Sequence, residues 1–103
     1  MNDRPVTLIS GSGRGIGRFL AEHYLERGHL VVGCSRNESD LNHKRYHHYC
    51  LHVTDEKKVK TMFMDIRKKH GKLDNVLNNA GIASMNHAIL TTVDTVRKVL
   101  VLS

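Results

Sequence analysis

Short apolar runs alternate with amphipathic stretches along most of this 103-residue chain. The apolar runs predict strands at residues 6–10, 30–34 and 49–53, and a fourth strand that begins at Leu73 and runs into Asn78. Such runs, apolar without alternation, are typical of strands that are buried on both faces of a parallel sheet.

The amphipathic stretches predict helices at residues 15–27, 56–69 and 91–102. Each of the first two is followed by a glycine, which is a common stop signal. Thr54 or Asp55 can cap the second helix. The apolar positions at helical spacing are Ile16, Phe19, Leu20 and Tyr24 in the first helix, Val59, Met62, Phe63 and Ile66 in the second, and Val93, Val96, Val99 and Leu100 in the third.

Strands separated by helices indicate an α/β fold with parallel strands and right-handed crossovers. The order of elements predicts a partial, Rossmann-like, doubly wound parallel sheet of about four strands in the order 3-2-1-4. In that arrangement we expect the fourth strand to keep one unpaired edge. Because no linker or repeat divides the chain, residues 1–103 are predicted to be a single domain.

The composition, with 40% hydrophobic and 25% charged residues, is that of a globular protein. No run approaches the roughly 20 apolar residues of a transmembrane helix, and residues 1–5 lack a secretory apolar segment, so we expect a cytoplasmic protein. Cys34 and Cys50 are then expected to be reduced thiols. The net charge of +6 comes from scattered basic residues, which favour solvated helix faces over a nucleic-acid surface.

Four glycines crowd the turn between the first predicted strand and the first predicted helix, in the stretch SGSGRGIG at residues 10–17. Gly11 allows a tight turn, Gly15 leaves backbone amides bare for a pyrophosphate, and Gly17 lets the helix lie close to the strand. The spacing is G-x-x-x-G-x-G rather than the generic G-x-G-x-x-G. A tight turn without a ligand would explain Gly11, but not the further glycines.

Two motifs resemble those of the short-chain dehydrogenase/reductase family. Ser10–Gly17 is similar to its T-G-x-x-x-G-I-G loop, and Asn78–Gly81 is similar to its N-N-A-G motif. The resemblance covers the whole chain but only the first half or less of a family member, and it implies that residues 1–103 are a Rossmann-type cofactor-binding domain. It places Asn78 as a brace between strands. The residues that it places at the cofactor are Gly11, Ser12, Gly13, Arg14, Gly15, Ile16 and Gly17 in the loop, and Asn79, Ala80 and Gly81 beside the nicotinamide ribose.

The end of the second predicted strand indicates NADP(H) rather than NAD(H). NAD-binding sites carry an acidic residue about 20 positions beyond the glycines, where it bonds the ribose hydroxyls. This chain has Ser35 followed by Arg36 instead. A guanidinium offers a 2′-phosphate charge-assisted hydrogen bonds, and Arg14 can reach the same phosphate from the glycine loop. The alternative is that both arginines are solvated surface residues.

The predicted adenine site departs from the family pattern. Family members usually have an aspartate before the valine at the end of the third strand, whereas this chain has His52 before Val53. We expect both residues at the cofactor, with the histidine making a weaker adenine contact than the usual aspartate. His47 and His48 lie in a cluster of histidines, but neighbours on a strand point to opposite faces, so no metal site is expected.

The family's catalytic serine and Tyr-x-x-x-Lys pair have no counterpart here, because none of Tyr24, Tyr46 and Tyr49 is followed by a lysine four positions later. The resemblance implies an oxidoreductase that carries out NADP(H)-dependent carbonyl reduction or alcohol oxidation on a small-molecule substrate. We assign no catalytic residue and expect this chain alone to bind cofactor without turnover.

Three alternatives stay open: a non-enzymatic NADP(H)-binding module, an inactive truncated product, and a nucleic-acid binder that depends on positive charge. Of these, nucleic-acid binding is the least expected, and no membrane partner is expected. The resemblance is also compatible with a homo-oligomer.

Overall fold

The computed structural model describes residues 3–13, 15–79 and 98–101. Within these ranges the strands form one parallel sheet in the order β3-β2-β1-β4-β5, which confirms the predicted α/β fold and the order 3-2-1-4. The strands are β1 (Val6–Ser10), β2 (Leu30–Ser35), β3 (Tyr46–Cys50), β4 (Asn75–Asn78) and β5 (Lys98–Val101), and the helices are α1 (Gly15–Glu26) and α2 (Glu56–His70).

Strand β5 corrects the prediction of a helix over residues 91–102. Lys98–Val101 instead pairs in parallel with β4, with Val99 opposite Val76, so the fourth strand does not keep the open edge that we expected. The sequence KVLV is rich in residues that favour strands, and β4 offers backbone groups that would otherwise lack partners. Residues 91–97 lie outside the described residues.

Strand β3 begins and ends three residues earlier than the predicted strand at 49–53. It pairs with β2 so that Tyr46 lies opposite Val31 and Cys50 opposite Ser35. The side chain of Tyr46 is buried in the core and sets this register. Val53 lies in the turn that precedes α2, and it packs only partly against the core.

Helix α1 turns a different face to the sheet from the one predicted. Ile16 and Phe19 are 66% and 67% exposed, whereas Gly17, Ala21 and Leu25 are buried. Two buried positions are small, so the helix can lie close to β1 and β2, and large side chains at these positions would hold it away. Leu20 and Tyr24, also in the predicted stripe, pack partly against the core as expected.

Helix α2 matches its prediction. Val59, Met62, Phe63 and Ile66 are all buried. They pack on one face of the sheet with side chains of β1, β2 and β4, while α1 packs on the other face. Neither α1 nor α2, the helices in the described part of the chain, has the length and apolarity needed to cross a membrane.

Candidate functional site

The candidate site lies at the carboxyl ends of β1 and β2. Since β2 and β4 flank β1 on opposite sides, the chain changes direction across the sheet at this point, and ligands of open α/β sheets bind at such crevices. A cleft of about 330 Å³ opens here. Its walls are the glycine loop and the segment after β2, and its lining residues are Gly11, Gly13, Ser35, Arg36, Asn37 and Glu38.

The backbone of the glycine loop takes conformations that favour glycine. Gly11 has φ 71° and Gly15 has φ 62°, both in the left-handed region. The amides of Gly11 and Ser12 donate to the carbonyl oxygen of Cys34 at 2.8 and 3.4 Å, which ties the loop to β2. These two hydrogen bonds hold the start of the loop against β2.

Gly17 lies against the start of the same loop. A Cβ atom at this position would lie 1.9 Å from the carbonyl oxygen of Gly11 and 3.0 Å from Nδ2 of Asn79. The close approach of helix to strand that the sequence predicts at Gly17 is confirmed, and any larger residue would push the helix start away from the loop.

The asparagines at the end of β4 contact the loop region from the other side. The hydroxyl of Ser10 donates to Oδ1 of Asn78 at 2.8 Å, so Asn78 braces β4 against β1 as expected. Nδ2 of Asn79 lies 3.4 Å from the carbonyl oxygen of Gly11. Three of the predicted cofactor residues, Arg14, Ala80 and Gly81, lie outside the described residues.

Four other residues predicted to bind the cofactor do not line the cleft: Ser12, Ile16, His52 and Val53. Ser12 is fully buried with its side chain turned away from the cleft, and Ile16 is exposed on the first turn of α1. His52 and Val53 follow β3 and do not line the cleft. Nδ1 of His52 lies 2.6 Å from the hydroxyl of Thr54, so local contacts in the turn engage this ring.

Sequence reasoning missed Asn37 and Glu38, which line the cleft just beyond Arg36. Following the segment two residues further would have found both, since the same loop carries all three. It also missed Tyr46 and His48, whose side chains connect the glycine loop to the segment after β2 through hydrogen bonds. The predicted third strand began only at residue 49, so the sequence did not place Tyr46 and His48 on a strand next to β2.

Among the described residues, one positive and one negative side chain line the cleft. Arg36 is exposed, and no described residue forms a hydrogen bond or an ion pair with it. Glu38 carries a carboxylate that interacts with the thiol of Cys50, and partial desolvation together with this carboxylate raises the pKa of that thiol. A guanidinium can bind a phosphate, whereas a carboxylate can accept hydrogen bonds from ribose hydroxyls.

The tyrosines near the site are engaged elsewhere. Tyr46 is 7% exposed, and burial raises the pKa of its phenol. The hydroxyl of Tyr49 donates to Asp65 on α2, and desolvation and this carboxylate raise its pKa. The thiol of Cys34 is buried, which raises its pKa to about 12 and leaves it protonated. None of these groups, as placed, is a general acid or base at the cleft.

Comparisons with known proteins agree with this geometry. The family model described as short chain dehydrogenase matches residues 5–103. An uncharacterized oxidoreductase of Schizosaccharomyces pombe is 40% identical over 78 residues, which cover 74% of this chain and 27% of that protein. The 3-oxoacyl-acyl-carrier-protein reductase FabG of Salmonella typhimurium is 34% identical over 87 residues, which cover 79% of this chain and 36% of that protein.

Solved structures share the fold but differ in the cofactor they hold. A structure of ElxO with NADP bound has a TM-score of 0.69 and 33% identity, and the match covers 77% of this chain and 36% of that one. A short chain dehydrogenase from Leptospira borgpetersenii with bound NAD+ has a TM-score of 0.70 and 25% identity, covering 77% and 32%. This chain thus spans only about a quarter to a third of the length of the two curated relatives.

Proposed function

Because the chain belongs to the short chain dehydrogenase family, we propose that it is the NADP(H)-binding part of an oxidoreductase that reduces carbonyls or oxidises alcohols. The family binds nicotinamide cofactors, as the neighbouring structures with NADP and NAD+ illustrate. The preference for the 2′-phosphate and the direction of the reaction belong to the proposal.

One observation carries the preference for NADP(H): Arg36 lines the cleft with no partner in the described part of the chain. Ser35 occupies the position where an NAD site would have an acidic residue, so no carboxylate there repels a phosphate. A guanidinium that already has an ion-pair partner would gain less from a phosphate than one that has none. Arg36 is therefore the residue that we assign to the 2′-phosphate.

Glu38 is the residue that argues for NAD(H), since its carboxylate lines the same cleft. Its interaction with the thiol of Cys50 draws it toward the end of β3. Arg36, in contrast, forms no hydrogen bond or ion pair with a described residue, and it lies two positions closer to β2 than Glu38. This difference supports phosphate binding over hydroxyl binding at the rim.

The glycine loop supports binding of the pyrophosphate. Gly13 and Gly15 present backbone without side chains at the start of α1, and the first turn of that helix has no acidic residue. The positive end of the helix dipole is thus not offset by a carboxylate of the helix itself. Within the proposal, Asn79 and the following Ala80 and Gly81 contact the nicotinamide ribose, and His52 and Val53 approach the adenine.

When bound, NADPH supplies the hydride that reduces a substrate carbonyl. The residues of this chain bind and orient the cofactor, and none of them protonates the substrate oxygen, because no Tyr-x-x-x-Lys occurs in the sequence. We propose a small-molecule carbonyl or alcohol as the substrate of the complete family fold and a cytoplasmic location, with no nucleic-acid or membrane partner.

The cofactor preference is tested by titrating the chain with NADPH and with NADH and following fluorescence or thermal shift. We expect NADPH to bind more tightly, and Arg36→Ala to weaken NADPH about tenfold, as loss of a charged hydrogen bond predicts, with little effect on NADH. Arg27→Ala is the matched control, because that arginine contacts His23 at the end of α1, away from the cleft. Equal affinity of the unaltered chain for both cofactors would contradict the proposal.

A second candidate is an NADP(H)-binding module without enzymatic activity. Both candidates predict cofactor binding by this chain without turnover, and they differ in whether the complete protein carries a Tyr-x-x-x-Lys. We expect no oxidation of NADPH above the blank when the chain is incubated with a panel of ketones. Turnover would show that this chain carries a catalytic group outside the family pattern.

A further inference from the structure

A series of hydrogen bonds joins the glycine loop to the segment after β2, the two parts of the chain that form the walls of the cleft. The hydroxyls of Ser12 and Tyr46 lie 2.9 Å apart, and the hydroxyl of Tyr46 lies 2.7 Å from Nδ1 of His48. Nε2 of His48 contacts Oγ of Ser35 at 3.0 Å and the carbonyl oxygen of Asn37 at 2.9 Å. Two side chains of β3 therefore join the glycine loop to the segment that carries Arg36.

The direction of these bonds follows from the carbonyl of Asn37, which can only accept. Nε2 of His48 therefore carries a proton and donates, and in a neutral imidazole Nδ1 is then an acceptor for the hydroxyl of Tyr46. The oxygen of Tyr46 is left to accept from Ser12. Because burial raises the pKa of the phenol, Tyr46 remains a donor at neutral pH.

Strand β2 makes room for this series of bonds with a glycine. A Cβ atom at Gly33 would lie 2.0 Å from the hydroxyl of Tyr46 and 2.2 Å from Oγ of Ser12. Gly33 is also the register partner of His48 across the β2–β3 pairing. The absence of a side chain at this one strand position is therefore what allows Ser12 and Tyr46 to meet.

The same bonds hold the residues on both sides of Arg36, through the side chain of Ser35 and the backbone carbonyl of Asn37. The hydroxyl of Ser35 donates to the carbonyl oxygen of Asn37 at 2.9 Å, and His48 contacts both of these groups. Since no described residue forms a hydrogen bond or an ion pair with the guanidinium of Arg36, its direction depends on this backbone. Without the imidazole, the hydroxyl of Ser35 would be the remaining hydrogen-bond donor to the Asn37 carbonyl among the described residues.

We propose that Tyr46 and His48 are positioning residues for the phosphate end of the cofactor: they hold Ser35 and the backbone of Asn37 so that Arg36 faces the cleft. This inference rests on the proposed binding of NADP(H). The two side chains act through the segment at residues 35–37 and do not line the cleft themselves. They determine how well the site distinguishes a 2′-phosphate from a 2′-hydroxyl.

The test uses two probes that isolate the adenosine end, adenosine 2′,5′-bisphosphate and AMP, titrated against the full chain. We expect His48→Ala to reduce the preference for the bisphosphate about tenfold while AMP affinity changes less than about twofold, as expected when a charged contact alone is misplaced. His48→Gln should restore much of the preference, since its amide can still donate to Asn37. Tyr46→Phe, which keeps the buried ring, should reduce the preference by a smaller factor.

His47→Ala is the matched control, because the neighbouring imidazole is exposed and lies 5.5 Å from the ring of His70 instead. It should leave both affinities unchanged. An unaltered chain that binds both probes equally would overturn the proposed function, and this inference with it.

If the unaltered chain prefers the bisphosphate, then a folded His48→Ala variant that keeps the full preference would overturn the positioning role alone. An equal loss of both probes would also overturn it, since that would indicate general damage to the loop. Should His48→Ala fail to fold, Tyr46→Phe decides: an unchanged preference would reject the inference, and a reduced one would support it.

Discussion

The two helices begin in opposite ways. At α2, Oδ1 of Asp55 accepts from the amide of Lys58 at 3.2 Å, Glu56 adds a second carboxylate, and the last turn is basic. At α1, a glycine loop precedes the helix and the first turn contains no acidic residue. The positive end of the α2 dipole is therefore offset by residues of the chain itself, whereas no carboxylate of the first turn offsets that of α1.

The two helices also differ in the size of the side chains that they bury. Helix α2 buries Val59, Met62, Phe63 and Ile66, a set of large side chains that stabilises the fold. Helix α1 buries Gly17, Ala21 and Leu25 and leaves Ile16 and Phe19 exposed. Helix α2 thus stabilises the fold with large buried side chains, whereas α1 buries mainly small residues and brings bare backbone to the cleft.

The largest effect is expected from Gly17→Ala. The added Cβ would lie 1.9 Å from the carbonyl oxygen of Gly11, so the start of α1 must move. We expect a loss of about 3 kcal/mol in the free energy of unfolding, the upper end for overpacking, and loss of NADPH binding. Urea denaturation and an NADPH titration measure the two effects.

Gly15→Ala is the control for that change, because a Cβ there has no atom within 4 Å and meets only the strain of φ 62°. Gly15→Ala should lower the free energy of unfolding by about 1–2 kcal/mol. Equal destabilisation by the two substitutions would mean that close approach at Gly17 is not what shapes the loop.

Ile16→Glu gives α1 the acidic first turn that α2 has. Because Ile16 is 66% exposed, the change should leave packing intact and stabilise the helix by about 0.3–1 kcal/mol. The same carboxylate should weaken NADPH binding about tenfold, or about 1.4 kcal/mol, by repelling the phosphates. Ile16→Gln is the neutral control, and weakening of equal size in that variant would contradict an electrostatic origin.

Asp55→Ala removes the cap of α2 and should lower the free energy of unfolding by about 1 kcal/mol. NADPH affinity should not change in the folded fraction, since the cap lies outside the cleft. Thermal melting with and without NADPH checks both parts. A selective loss of cofactor affinity would show that α2 also contributes to binding.

The smallest effect concerns the histidines near the helix ends. Desolvation lowers the pKa of His29 beyond α1 and of His70 at the end of α2 from the ordinary value of 6.5. The folded state thus favours the neutral rings, and this stability, present above pH 6.5, is lost as the pH falls below that value. The free energy of unfolding should decrease between pH 7.5 and 5.5, and His70→Gln should weaken that dependence.

The pH range separates these rings from the carboxylates. Hydrogen bonds from Arg18 lower the pKa of Asp40, and those from Tyr49 and Lys69 lower that of Asp65, from an ordinary value of 3.8. Their contribution is lost only as the pH falls below that value. A free energy of unfolding that does not change between pH 7.5 and 5.5 would therefore contradict the role given to His29 and His70 and would leave that of the carboxylates untouched.

The local sequence pattern predicted a feature correctly wherever that feature depends on a single element. The runs at β1 and β2 are mostly apolar, the stripe of α2 has helical spacing, and four glycines between a strand and a helix are typical of a loop that binds phosphate. These features depend on side chains close together in the chain, so periodicity and turn chemistry predict them. The same is true of Ser35 and Arg36, which follow directly from the end of β2.

The three departures all depend on partners that are distant in sequence. Tyr46 sets the register of β3 because its side chain fits into the core beside Gly33. Helix α1 turns small residues inward because it packs against the sheet. Lys98–Val101 forms a strand because it pairs with the edge of β4. The link from Ser12 through Tyr46 to His48 is of this kind too. Neighbours in the chain thus decided the glycine loop and most of the elements. Contacts between elements decided the strand at 98–101, the registers, the buried faces and the hydrogen bonds from Ser12 to His48, because packing and long-range hydrogen bonds exist only once the sheet has formed.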